Sequence, residues 1–184
     1  WRVVDEQGRT VLEARGTHTE LEASAPVEVD EARAAEPAYA GHQQHPFPSC
    51  FSCGPERAEG DGLRIFPGPV PGRDGTVAAT WTPHATSYEI AWAALDCAGA
   101  WASGIEESPR VLGRMTARVD RLPRVGETLV VTGEARGYEG RKHHATTTLR
   151  NADGELLDDV PAEDHDVAVG AAVLARDGVV HLSP

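Results

Sequence analysis

The chain has 184 residues, 40% hydrophobic and 25% charged, the composition of one ordinary globular domain able to bury a core. Its net charge of −12 excludes general nucleic-acid binding, which needs a basic footprint, and no apolar run approaches the roughly 18 residues of a membrane span. Three cysteines are too few, and odd in number, for a disulfide framework, so a reducing cytoplasm is the expected compartment.

Residues 1–15 read as a hairpin, with Trp1 to Val4 and Thr10 to Ala14 as strands around Glu6-Gln7-Gly8. Leu21 to Tyr39 is rich in alanine, glutamate and proline, a linker with one short helix over Val29 to Ala35. This divides the chain into an N-terminal hairpin and linker, 1–44, and a main domain, 45–184. The next stretch, HPFPSCFSCGPERAEGDGLRIFPGPVPGRDG, is a loop, because its prolines and glycines forbid regular structure outside a short strand at Leu63 to Phe66.

Within that loop, His45, Cys50 and Cys53 are the beginning of a zinc site, with His42 or Asp61 available as a fourth ligand. Structural zinc sites normally show two ligand pairs. The preferred reading is therefore reduced cysteines in a packed loop, with no metal.

Val77 to Trp81 alternates as a strand, and the helix EIAWAALDCAGAWA follows. This helix is alanine-rich and apolar on every face, which predicts a helix wrapped by protein. Asp96 is its one charge after Glu89. A carboxylate carried into such a setting is either bonded to backbone amides or placed at the wall of a pocket. Glu89, seven residues earlier and on the same face, is a second acid or base, or a favourable charge in the first turn.

Three strands complete the pattern. Val111 to Asp120 alternates Val111, Met115, Ala117 and Val119 with Arg114, Thr116, Arg118 and Asp120; Glu127 to Arg136 and His144 to Arg150 follow, and Asn151 to Gly154 turns the chain toward Glu155 to Leu157. Strand, central helix and antiparallel meander give an α+β class, a sheet wrapped around one long buried helix. Between Arg110 and Arg150 lie nine of the seventeen basic residues against four acidic ones, so an anionic small molecule fits that segment. His143 and His144 point to opposite faces of their strand and cannot act together. Beyond the turn, DDVPAEDHD is an acidic insert and VAVGAAVLARDGVVHLSP reads as a hairpin.

The stretch AWAALDCAGAWA followed by VLGRMTARVDRLPRVGETLVVTGEARGYEGRKHHATTTLRNADGELL resembles the second part of a hotdog-fold acyl-CoA thioesterase of the phenylacetate-pathway type, and CFSCGPERAEGDGLRIF is similar to a Cys-x-x-Cys-Gly…Gly-Leu segment common in actinobacterial examples. The resemblance covers about residues 45–157. It implies a hotdog fold, Asp96 as catalytic carboxylate and a helix N-terminus that polarises the thioester carbonyl. Where the family often has His-Gly-Gly, this chain has Ser87-Tyr88-Glu89. The family also closes its sheet with a strand right after the Asp-Gly turn, where this chain carries its acidic insert. A homodimer is implied, and the N-terminal hairpin would be the remnant of a second hotdog unit.

The expected function is hydrolysis of an acyl-CoA or carrier-protein-bound thioester. Asp96 would be base or nucleophile, Ser87 and Tyr88 would border the oxyanion site, and Arg114, Arg118, Arg141 and Lys142 would meet the substrate's phosphates, with no cofactor. The alternative is a non-hydrolytic hotdog domain that binds an acyl or polyketide ligand. A dehydratase or hydratase would need a histidine beside the acid, and His84 is the one near the helix.

Overall fold

The computed structural model describes residues 2–156 and 169–175. Strands β1 (Arg2–Val4) and β2 (Thr10–Glu13) pair antiparallel in a small sheet of their own. Asp5 makes their turn: its Oδ1 accepts the amides of Gln7 and Arg9, both at 2.9 Å.

Helix α1 (Val29–Ala35) starts in a capping box, with the Glu28 side chain on the third amide and Glu31 reaching back to the Glu28 amide. Its Ala32 and Ala35 are buried. Just beyond it, Glu36 Oε1 accepts hydrogen bonds from the backbone and the hydroxyl of Thr80, at 2.7 and 2.5 Å, and so ties the helix end to the main sheet.

That sheet has six strands: β3 (Gly68–Pro69), β4 (Thr76–Trp81), β5 (Val111–Arg118), β6 (Leu129–Glu139), β7 (Lys142–Asn151) and β8 (Val169–Ala175). Their order is β3-β4-β6-β7-β8-β5, and every pairing is antiparallel. Helix α2 (Tyr88–Ala102) connects β4 to β5. Alternation along β4 and β6 sorts side chains to two cores. Val77, Ala79, Trp81, Leu129 and Val131 share a cluster with Ala94, Leu95, Ala98 and Trp101 of α2, whereas Ala78 and Val130 pack with Val27, Ala32 and Val70 on the α1 side.

Glycines set how closely α2 lies on the sheet. A Cβ at Gly133 would stand 2.3 Å from the Ala98 carbonyl oxygen, and one at Gly99 would stand 2.9 Å from the Ala145 Cβ. At this close approach the Gly99 amide donates to Thr147 Oγ1 at 3.1 Å.

Four expectations are corrected. Leu63 to Phe66 is not a strand: the amides of Leu63 and Ile65 go to the carbonyls of Phe51 and Ser52 in the cysteine loop, and Arg64 takes φ 53. The register of β5 shifts between Leu112 and Arg114, so Val111 is exposed and Leu112 joins the core in its place. Glu155 to Leu157 forms no strand among its described residues, only a bridge between Leu156 and Arg150. The sheet nevertheless gains a strand after that turn. Strand β8 arrives after the acidic insert and fits between β7 and β5, so it extends further back than the expected hairpin arm at Ala172 to Ala175. The acidic insert and the second arm, Val179 to Leu182, lie outside the described residues.

Candidate active site

Helix α2 begins where Ser87, in extended backbone, turns its Oγ to accept the Ile90 amide at 3.3 Å. Glu89, in the first turn, is exposed, and hydrogen bonds from Ser87 and from its own amide hold its carboxyl below the usual range. Both residues are thus engaged in starting the helix. Tyr88 is 58% exposed, and Trp92, one turn on, is 40% exposed.

The same stripe continues to Asp96, at 88, 92 and 96. The helix is therefore not wrapped on every side as its composition suggested. Its inner face, with Ala91, Ala94, Leu95, Ala98 and Trp101, is buried on the sheet, and the Tyr88-Trp92-Asp96 stripe stays open.

Asp96 is half-buried on that stripe, and burial, with a further contribution from the nearby Cys50 sulfur, raises its pKa to about 6. Among the described residues its carboxylate has no hydrogen-bond or ion-pair partner, yet its oxygens are not sealed from the surface. Among the described residues no backbone amide holds it, so the structural alternative finds no support there. A carboxylate poised this way is available to a water molecule or a substrate.

Beside Asp96, Cys97 faces the cysteine loop. Its Sγ is 3.5 Å from Cys50 Sγ, and the sulfurs of Cys50, Cys53 and Cys97 all lie within 4.8 Å of one another. Ser52 Oγ donates to the Ala93 carbonyl at 2.6 Å, and Tyr39 OH donates to the Cys53 carbonyl at 3.0 Å. The loop is thereby held on α2. Cys97 is the member of this group that the loop's Cys-x-x-Cys spacing does not point to, since it lies 44 positions further along the chain. His42 and Asp61 do not reach it: His42 packs its ring on Tyr39 and Phe66, and Asp61 pairs with Arg57.

The basic residues are dispersed. Arg114 and Arg118 are half-buried on β5, with Arg118 Nε 3.7 Å from the nearly buried Asp120 carboxylate. Arg141 sits in the β6–β7 turn, followed by exposed Lys142. Arg141 lines an open depression of about 340 Å³ together with Ser103, Glu107, Arg110 and His143. This depression lies at the C-terminal end of α2, about 10 Å along the axis from Asp96 at 1.5 Å per residue. His84 is exposed in the segment before the helix.

No family model and no curated protein sequence matches the chain. Its backbone is similar to solved structures. One is a thioesterase superfamily protein, at 20% identity over 62% of this chain with a TM-score of 0.48; the chain spans 56% of that protein's length. Another is the E. coli PaaI protein from the phenylacetic acid degradation operon, at 18% identity over 56% of this chain and 78% of the other, TM-score 0.45. A third is zebrafish thioesterase superfamily member 2, at 12% identity over 82% of this chain and 99% of the other, TM-score 0.48. The chain is similar to thioesterase-superfamily structures.

Proposed function

We propose that the protein is a hotdog thioesterase that hydrolyses an acyl thioester of coenzyme A or a carrier protein. The observation that carries this reading is the Asp96 carboxylate, half-buried on the open stripe of α2 with no protein partner among the described residues. A partly desolvated carboxylate with a raised pKa is a stronger base than one in water and is still largely ionised at neutral pH. It would take a proton from the attacking water or attack the thioester carbonyl itself, with the thiol of the carrier as leaving group. The sheet order around one helix and the resemblance of residues 45–157 support the same reading.

The oxyanion donors come from the start of α2. Pairs at Ile90 and Glu89 already occupy two first-turn amides, which leaves the Tyr88 amide for the developing charge. Tyr88 and Asp96 are eight residues apart, about 12 Å along the axis. A reacting carbonyl must lie within about 3 Å of its donors and its base, so one copy cannot supply both groups. The site we propose joins Asp96 of one copy to the α2 start of a second, across the open stripe. Arg141 and Lys142 would hold the phosphates of a coenzyme A moiety.

A second reading, a non-hydrolytic binder of an acyl or polyketide ligand, is favoured by those same occupied amides at Glu89 and Ile90. A panel of short, medium and aromatic acyl-CoAs, followed by release of thiol, separates the two. Hydrolysis of at least one class above the no-enzyme rate supports the enzyme, and saturable binding of acyl ligands with no thiol release across the panel supports the binder.

A further inference from the structure

We propose that Cys50, Cys53 and Cys97 bind one thiophilic divalent cation, zinc by the donor set, which clamps the 45–66 loop to helix α2. A zinc ion with Zn–S bonds of about 2.3 Å sets tetrahedral sulfurs about 3.8 Å apart. Here two sulfurs are 3.5 Å apart and all three fall within 4.8 Å. Two ligands come from one turn and the third from a helix 44 positions further along the chain. That separation is what a cross-linking ion requires.

The turn converges on the Cys50 sulfur: the amides of Ser52 and Cys53 are directed at it, and the Cys97 sulfur stands 3.5 Å away. Gly54 is required directly after Cys53, because a Cβ there would stand 2.5 Å from the Cys50 nitrogen and from the Pro48 oxygen. Metal entry displaces the thiol protons of the ligands to solvent, and three thiolates then share the divalent charge.

His45 takes an outer place. Its Nδ1 accepts the Phe47 amide at 2.9 Å, which leaves the proton of the neutral ring on Nε2. That nitrogen is 3.4 Å from Cys53 Sγ, and Trp101 Nε1 donates to the same sulfur, also at 3.4 Å. Two N–H groups directed at one sulfur orient and stabilise a thiolate ligand. Solvent completes the coordination.

The test is a cobalt titration of the full chain, reduced and stripped with chelator, with zinc as competitor. The expected result is one cobalt per chain, a thiolate-to-cobalt charge-transfer band and visible bands of tetrahedral intensity, all displaced by one equivalent of zinc. Zinc should also raise the melting temperature of the stripped protein. Cys97→Ser and Cys50→Ser should each lose the one-equivalent band, while His45→Ala keeps it. Absence of the band in the parent with three reduced thiols counted, or an unchanged band in Cys97→Ser, would overturn the proposal. Loss of the band in His45→Ala would overturn the three-thiolate assignment. If a serine variant does not fold, the parent's stoichiometry and spectrum decide alone. A Cys50–Cys97 disulfide in the isolated protein that gives no cobalt band after reduction would also refute it.

Discussion

The Gly99 amide donates to Thr147 Oγ1 at 3.1 Å, and this bond marks the place where α2 comes closest to the sheet. The contact is one turn from Asp96, so it fixes the depth at which the carboxylate is held. Gly133 makes the same approach possible from the strand side, since a side chain there would collide with the Ala98 carbonyl. Backbone cannot yield as a side chain can. Gly133→Ala should therefore destabilise by roughly 1–3 kcal/mol, and more than Gly99→Ala, whose added methyl meets only side chains. Urea unfolding of both variants measures the order. Equal midpoints for Gly133→Ala and the parent would contradict this packing.

Arg121 and Glu127 form a bidentate pair at 2.8 and 2.9 Å, with Glu127 also accepting the Arg124 amide at 2.9 Å. The Arg121 guanidinium holds the Glu127 carboxyl below its ordinary value of 4.5. A depressed folded pKa stabilises above the unfolded value and loses that contribution as pH falls through the folded one. Glu127→Gln should thus cost about 1 kcal/mol at pH 7. The gap to the parent should close as the pH is lowered below about 4.5. Urea midpoints of both proteins from neutral to acid pH check this; a gap that persists in acid would assign the loss to packing.

Much of the fold was legible from the sequence. Helix α1 spans Val29–Ala35, the span read within the linker, and β4, β6 and β7 follow their alternation to within a few residues. What was missed depends on distant partners. Met115, Ala117 and Val119 face the core as their alternation suggests, but a register shift between Leu112 and Arg114 puts Leu112 there in place of Val111, and alternation cannot report a shift of one residue. Leu63 to Phe66 has strand composition but spends its amides on the cysteine loop. Composition identified α2 as a buried helix without saying which stripe a single copy leaves uncovered. Asp96 stood out as a lone charge in an apolar run. Cys97, its neighbour, is an ordinary small apolar residue until the fold brings Cys50 and Cys53 against it.

Converting Arg141 and Lys142 to alanine should raise KM for an acyl-CoA by about tenfold, a loss near 1.4 kcal/mol, with kcat nearly unchanged. That split is the signature of lost uniform binding. Added salt should weaken the parent in the same direction. A KM indifferent to both the double variant and salt would remove the nucleotide phosphates from this end of α2.

The two-copy site makes a complementation prediction. Tyr88 is the first helical residue, where proline is tolerated and its missing N–H removes one first-turn donor. Tyr88→Pro and Asp96→Asn should each be nearly inactive alone. Mixed by unfolding and refolding together, they should regain about a quarter of parental activity, because half of a random dimer population is mixed and each mixed dimer has one intact site. No gain on mixing would overturn the two-copy site.

The most direct measurement is thioester hydrolysis by Asp96→Asn beside the parent, with thermal unfolding of both. The substitution keeps the size of the side chain and removes the base. Hydrolysis should fall by a factor on the order of 100 or more. Because the carboxylate has no protein partner to lose among the described residues, and removing its charge relieves desolvation, the melting temperature should hold or rise. Equal hydrolysis rates in the two proteins, or a rate loss that only accompanies a lowered melting temperature, would contradict the role of Asp96.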